Sequence, residues 1–373
     1  MNKRIESRSS LNPSYYGIGA LDRYNLGDLL FADLASKHFP SIEFYSPSGG
    51  DFSSFKGVIS KPLSQLPKEG NYIFIGGEIL SSSWSTAIRD TKAPGFADKF
   101  NAIQKVRMKF STKEFFLKKT GDSAHPYIPT HLELSQNRFA YVSVGGRTNS
   151  EWFDHLSPNQ TYLSVRDLRT RQHLGNISHE IHLAPDPVAS LALYPDLVPK
   201  TDRENGLLIQ CSLNWYKKKH NQELLNSIIL DSKLKRIPVS FCSFGFTQNH
   251  ADQVAYSLIA NKHPEIKYIE VRSTQDHISA VANSTLMLAS SLHAHIISMA
   301  LGKANIPLPG IDKISNYIET WVPEIVDKYK IRLSLHDAMK FNREFAPLFL
   351  DRSRELAQKA DRNYQAVVNF LKT

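Results

Sequence analysis

Cysteine is scarce in this 373-residue chain, which has two, Cys211 and Cys242. Two thiols cannot build a disulfide framework, so a hydrophobic core must hold the fold, and a reducing compartment suits them. Each falls near the end of an apolar run, where a free cysteine packs as a small hydrophobe. No apolar run approaches the ~18 residues that suggest a membrane span. The opening MNKRIESRSSLNPS has basic residues but no apolar stretch behind them, so no secretory signal is expected and the chain reads as cytoplasmic. Internal repeats, low-complexity tracts and Cys/His sets with metal-ligand spacing are also missing. His293 and His295 stand two apart, which on a helix points them to different sides, so no metal site is expected.

The composition, 41% hydrophobic and 22% charged, is that of a globular protein, and the length calls for two domains. A formal charge of +9 favours anionic partners. Its densest clusters, Lys217-Lys218-Lys219 and Arg166, Arg169 and Arg171, are not interleaved with aromatics as a nucleic-acid groove would be, so nucleic acid is not expected as a partner.

Residues 15–34, YYGIGALDRYNLGDLLFADL, begin as a strand, break at glycines and resume as an amphipathic helix over 26–38. The turn Asn25-Leu26-Gly27-Asp28 presents a helix N-terminus, which suits an anion, yet it is neither a G-x-G-x-x-G fingerprint nor a P-loop. Further strands are expected at 42–45, 72–75, 139–144 and 162–165. Three prolines and a polar cluster over 187–205 read as a linker. Beyond it strands near 206–212, 237–244, 267–271 and 285–290 alternate with helices near 218–235, 250–262, 274–283 and 292–301. Alternation with short connections means parallel sheets flanked by helices. The expected architecture is α/β: two Rossmann-like domains, 1–195 and 200–373, with a cleft between them and terminal helices packing across both.

Ligands of such sheets collect outside the carboxyl ends of the strands. Four features fall there: the opening turn; Gly76-Gly77-Glu78; Gly145-Gly146-Arg147 with Arg166-Asp167 close behind; and Ser290-Ser291-Leu292-His293. Each has an ordinary structural explanation. Glycines relieve tight turns, and Asp167, Ser290 and Ser291 are suited to cap helices. Their joint placement facing one cleft is what points to function.

Taken in order, these stretches resemble a known family. Asn25-Leu26-Gly27-Asp28 resembles an N-x-G-D turn, and Gly76-Gly77 a glycine-rich second motif. SVRDLRTRQHLG (164–175) is similar to V-R-D-x-x-S-x-x-x-L, and LAPDP (183–187) to the A-x-D-P that follows. SSLHAHIISMALGKANIPLPGIDK (290–313) is similar to R-L-H-x-x-I-x-A-x-x-x-G-x-P with a following lysine. These are the marks of the polysaccharide pyruvyl transferases, over roughly residues 15–313. Ser291 stands where the family usually has the arginine of R-L-H, Glu78 replaces a third glycine, and Thr170 replaces a serine.

The resemblance implies a glycosyltransferase-B-like pair of domains and no cofactor. It implies phosphoenolpyruvate as donor, and as acceptor a sugar hydroxyl pair on a surface polysaccharide or its lipid-linked oligosaccharide precursor. The product is a cyclic pyruvate ketal. Such chemistry needs cations or helix N-termini for the donor's two charges, and an acid near neutrality to protonate the enol methylene, for which histidine is suited. His293 is accordingly expected as general acid/base and Asp28 as base or acceptor-binding residue. Arg166, Arg147, Ser290, Ser291 and Lys313 are expected on the donor, and Asn25, Gly27, Gly76, Gly77 and Glu78 on the acceptor. Asp186 is read as a hinge candidate. A lipid-linked acceptor and the basic bias together suggest peripheral docking on an anionic membrane surface. Two other readings stay open: a glycosyltransferase using a nucleotide sugar, and a catalytically inactive glycan-binding relative, for which Ser291 is the clue.

Overall fold

In the computed structural model, which describes residues 14–84, 86–87, 125–128, 137–148, 150–175, 177–198, 206–247, 250–303, 305–327 and 334–373, the chain builds two sheets. The first holds β1 (Tyr15–Ile18), β2 (Glu43–Ser46), β3 (Gly50–Asp51), β4 (Ile59–Pro62), β5 (Asn71–Ile75), β6 (Arg138–Val144), β7 (Thr161–Val165) and β8 (Ile181–Leu183). Their order is β3-β4-β2-β1-β5-β6-β7-β8, parallel throughout except for the β3–β4 pair. The second holds β9 (Leu207–Gln210), β10 (Val239–Cys242), β11 (Lys267–Ile269), β12 (Leu286–Ala289) and β13 (Asn305–Pro307), in the order β11-β10-β9-β12-β13, all parallel.

The described helices are α1 (Leu26–His38), α2 (Leu168–Leu174), α3 (Leu213–Tyr216), α4 (Lys219–Leu234), α5 (Asp252–Ala260), α6 (Thr274–Ala282), α7 (Leu292–Ala300), α8 (Asp312–Trp321) and α9 (Leu335–Lys372). Strands covered by helices on both faces bury every residue, as β5 (NYIFI), β9 (LLIQ) and β12 (LMLA) do. Those continuous apolar runs are why the central strands are legible in the sequence. Short strands at or beside a sheet edge, β3, β4, β8 and β13, carry no such run, and the sequence reading passes over them.

Both sheets follow the doubly wound order, in which the chain works outward from the first strand and then returns to its other side. The turning points lie between β1 and β5 in one sheet and between β9 and β12 in the other. The two are tied together by a short ribbon at the carboxyl ends. Leu26 N–H donates to Phe244 O (3.0 Å) and Phe246 N–H to Tyr24 O (3.2 Å), around an antiparallel bridge between Asn25 and Gly245. The architecture is therefore two Rossmann-like α/β units with their turning points facing one cleft, as the alternation of strands and helices requires.

One expectation is corrected here. The stretch beginning at Pro187 does not open as an exposed linker: Pro187–Leu193 is a 3-10 helix whose first five residues are buried. Its proline sits in the first turn, where a missing N–H is harmless, and Asp186 Oδ1 caps it by accepting from Val188 N–H (3.1 Å). Residues 199–205, the rest of that stretch, lie outside the described residues.

Helix α9 packs against both units. Asn342 Nδ2 donates to Thr285 O (3.1 Å) on the side of the second sheet. Twenty-one residues on, buried Asn363 reaches the first: its Nδ2 donates to Ser143 Oγ and Ser164 Oγ, both at 3.1 Å, and its Oδ1 accepts from the Tyr162 hydroxyl at 2.7 Å. Truncating one member of a buried polar group leaves the others unsatisfied. Asn363→Ala is expected to lower the unfolding free energy by about 2–3 kcal/mol, read from urea unfolding. A variant as stable as the wild type would show that α9 is held by its apolar face alone.

Candidate active site

Between the two turning points is a cavity of about 230 Å³. Its walls come from the β1–α1 turn (Arg23, Asn25, Asp28), the segment after β5 (Gly77, Glu78, Ile79), Arg166 after β7, Thr247 and His250 after β10, Ser291 to His293 after β12, and Lys313. All but the last follow strand ends, where a parallel sheet leaves its loops free to carry chemistry.

His293 stands in the first turn of α7, 8% exposed. Its ring is edge-on to Phe31 (centroids 5.3 Å apart) and lies flat against the backbone of Gly27. A Cβ at Gly27 would sit 1.9 Å from His293 Nδ1, so only glycine lets the two units meet at this point. His293 Nε2 has no hydrogen-bond partner among the described residues and is 3.8 Å from Asp186 Oδ2. Burial, followed by the positive charges of Arg166 and Lys313, pushes the imidazole well below the ordinary histidine range, so it is neutral at pH 7.

Asp28 is buried as well, and burial raises its carboxyl to about 6 against the opposing pull of Arg23. Asn25 Nδ2 donates to Asp28 Oδ2 (2.8 Å), orienting the carboxylate toward the glycines that follow β5. Lys313 is half-buried and makes no hydrogen bond or ion pair among the described residues. Its ammonium is lowered chiefly by burial. Helix α7 directs its N-terminus at the same space. Ser291 occupies the cap position without a side-chain capping bond, leaving its hydroxyl to the cavity.

Arg166, expected on the donor, already has partners within the protein. It lines the cavity, but it is 1% exposed and its guanidinium is engaged by three carboxylates: Glu78 Oε1, Asp186 Oδ2 (3.3 Å) and Asp167 Oδ2 (3.6 Å). Its carbonyl accepts from Trp321 Nε1 (2.7 Å), a bond across the cleft. Glu78 is likewise committed, also accepting from Arg169 Nη2 (2.8 Å). Burial alone would raise the Glu78 carboxyl, but Arg166, Arg169 and Lys313 outweigh it and hold it below the usual range. Gly77 and Gly145 make room for this cluster: a Cβ on either would come within 2.6 Å of the guanidinium.

Other expected site residues fall outside the cavity. The Arg147 side chain is exposed, because the backbone after β6 turns at Gly146 (φ +124°) and is held by Arg147 N–H donating to Ser81 Oγ (2.6 Å). Ser290 is taken up by Gln210 and by Ser212 N–H, which donates to its Oγ (2.9 Å). Gly27 and Gly76 shape the wall from behind, Gly27 under His293 and Gly76 against Ile79. His295 is a packed core histidine, bonded to Asn305 Oδ1 and Ala289 O.

The residues that sequence reading missed are His250, Thr247 and Arg23. Burial and Lys313 pull the His250 imidazole down to about 3. The strand-end rule pointed to the loop after β10, but SFGFTQNHA has no motif to single out one residue. Behind it, Asp252 Oδ2 accepts from Gln210 Nε2 (2.8 Å), Phe244 N–H (2.8 Å) and Gly245 N–H (3.1 Å), while Gln210 Oε1 accepts from Ser290 N–H and Ser291 N–H. One buried pair thus fixes both the interdomain ribbon and the start of α7.

If Arg166 is the counter-charge for this cluster, replacing it strands buried carboxylates. Arg166→Met is expected to cost about 3–5 kcal/mol of stability, seen as a large fall in melting temperature. A melting temperature within a degree or two of wild type would return the guanidinium to a ligand-binding role.

The chain is similar to several solved structures. A UDP-GlcNAc 2-epimerase from Neisseria meningitidis bound to UDP-GlcNAc is 12% identical with a TM-score of 0.49, over 96% of this chain and 99% of that one. One from Methanocaldococcus jannaschii in complex with UDP-GlcNAc and UDP is 13% identical, TM-score 0.47, over 89% and 92%. MurG of Acinetobacter baumannii is 13% identical, TM-score 0.41, over 96% and 98%. A search of curated proteins returns no match. No described helix is long and apolar enough to cross a membrane. Residues 135–310, a span that includes Arg166, Asp186, His250 and His293 and stops short of Lys313, match the model of the family that the sequence motifs resemble, polysaccharide pyruvyl transferase.

Proposed function

We propose that the protein transfers pyruvate from phosphoenolpyruvate to two hydroxyls of one sugar, on a surface polysaccharide or its lipid-linked precursor, as a cyclic ketal. The observation that carries this reading is the joint enclosure of a neutral histidine, an unpaired lysine and a helix N-terminus in one small cavity, within and beside the span matched by the family. Lys313 and the N-terminus of α7 hold the donor's phosphate and carboxylate. Arg166, which lines the same cavity but is engaged by Glu78 and Asp186, adds its positive charge from the wall.

The chemistry then needs a proton on the enol methylene, bond formation from a sugar oxygen to C2, departure of phosphate from C2, and closure by the second hydroxyl. Of the two hydroxyl protons, one balances the new methyl group and the other leaves with phosphate. His293 presents an unpartnered Nε2 for the methylene. Its imidazole is too weakly basic in the empty cavity, and the donor's negative charges offset those of Lys313 and Arg166 and raise it again. Asp28, ionised above about pH 6 and oriented by Asn25, takes a hydroxyl proton.

The direct test is incubation with phosphoenolpyruvate and candidate glycans, read as phosphate release and glycan mass gain. Loss of both with every acceptor, together with stabilisation by a uridine nucleotide, would favour a nucleotide-sugar glycosyltransferase. His293→Ala should lower turnover about 10²–10⁴-fold, and Lys313→Met should weaken donor binding with little change in melting temperature. Because the donor raises the lowered His293 pKa, its binding should take up protons, so donor affinity rises as pH falls toward the ordinary histidine range. Calorimetry in buffers of different ionisation enthalpy measures this uptake, and proton release would contradict it.

The lipid carrier places the acceptor at a membrane face, where the +9 charge supplies attraction to anionic lipid. Co-sedimentation with anionic vesicles should fall steeply as salt rises. Attachment indifferent to both lipid charge and salt would argue against electrostatic docking.

A further inference from the structure

On the far side of the interdomain ribbon is a second and wider space, a groove of about 820 Å³. Alternation along the paired segments divides them between the two spaces: Asn25 and Thr247 line the small cavity, and Tyr24 and Phe246 line the groove. The two spaces share a wall, and both are closed by residues from both units.

The groove is walled with aromatic rings. Tyr24 is at their centre, edge-on to Phe52, Phe55 and Phe246 at centroid separations of 6.0, 4.8 and 4.6 Å. Tyr268 closes the other side, and Glu270 and Arg272 form a polar rim. Phe52, Phe55, Phe246 and Tyr268 are each only partly buried. Tyr24 is 8% exposed, yet its hydroxyl has no hydrogen-bond partner among the described residues. A buried phenol ordinarily finds one, and a sugar hydroxyl that reached it through a small shift of the ring would supply it.

Sugar rings match these walls. Their axial C–H faces stack on aromatic rings, and their equatorial hydroxyls bond to a phenol, a carboxylate and a guanidinium at the edges. A phosphate group matches them poorly: Arg272 is already paired, its Nη2 donating to both Glu270 oxygens at 3.1 Å. The cavity of about 230 Å³ accommodates the reacting end of an acceptor only, so the rest of a glycan must be held outside it.

We propose that the aromatic groove is a carbohydrate subsite that binds the acceptor's sugar residues next to the one being modified. This rests on the pyruvyl-transfer reading for the glycan's role as acceptor, but its test does not need the donor. The full chain is titrated with neutral di- to tetrasaccharides of glucose, galactose, mannose and N-acetylglucosamine, without phosphoenolpyruvate. Binding is followed by calorimetry and by saturation-transfer NMR from the aromatic protons. At least one tetrasaccharide is expected to bind, about tenfold more weakly to Phe55→Ala and to Phe246→Ala. Tyr24→Phe, which keeps the ring and removes only the unpaired hydroxyl, is expected to weaken it about three- to tenfold. Phe55 sits in a short surface 3-10 helix with no buried residues, so Phe55→Ala should melt like wild type and bind phosphoenolpyruvate normally.

Failure of every oligosaccharide to bind, or binding unchanged in the Phe55 and Phe246 variants, overturns the subsite, as does competition by uridine nucleotides for the groove. Phosphate release from the donor is a separate measurement. Its failure with glycan binding intact removes the proposed reaction and not the subsite, and the converse result removes the subsite alone.

Discussion

Everything at the centre of this molecule depends on a buried guanidinium. Arg166 emerges from the carboxyl end of β7 into a buried place, and three carboxylates converge there, one from the next residue and two from distant parts of the chain. Each of those parts does something else as well. Asp167 caps α2 through Thr170 N–H, Asp186 caps the 3-10 helix at Pro187, and Glu78 carries on to Arg169. Ion pairs of this kind gain little net stability over an apolar core, but removing one partner leaves the others stranded, so they specify one arrangement. The same charge that lines the cavity is thus also tied to the floor beneath it.

The second constraint is how closely the two units approach. A histidine ring packed on a bare backbone at Gly27, and a guanidinium on Gly77, allow contact where any side chain would hold the units apart. The same closeness allows the ribbon of Tyr24–Leu26 with Phe244–Phe246, and bonds such as Thr274 Oγ1 to Asp33 Oδ2 (3.1 Å). The result is a small cavity with buried ionisable groups in its walls. Burial sets the direction of shift for the acids and histidines here other than Glu78, raising Asp28 and Asp186 to about 6 and Asp252 to about 7, and lowering His250 and His293. Acids and bases are brought toward one another in strength, the condition under which proton transfer near neutral pH is efficient.

How much of this was legible beforehand depended on whether the signal was local. Central strands and their helices are written in runs of apolar residues, since a strand covered on both faces tolerates little else, and the strand-end rule put Asn25, Asp28, Gly77 and His293 near one another. Asp167 was legible as a cap because capping involves residues three apart. His250 was not, because nothing near it in sequence distinguishes it. Its importance comes from Lys313 and the cavity, more than sixty residues away.

The sequence by itself determined the α/β class, the alternation that makes both sheets parallel, the loops that could carry chemistry, and the family resemblance over their motifs. Only the tertiary structure decided which charges are free. Arg147 and Arg166 look alike as arginines after strands, yet one is in solvent and the other engaged by carboxylates, while Lys313, the weakest candidate of the three, makes no hydrogen bond or ion pair among the described residues. The reason is that a charge's availability is set by what surrounds it in space. Carboxylates from positions 78 and 186 meet at Arg166 only once the strands are in order.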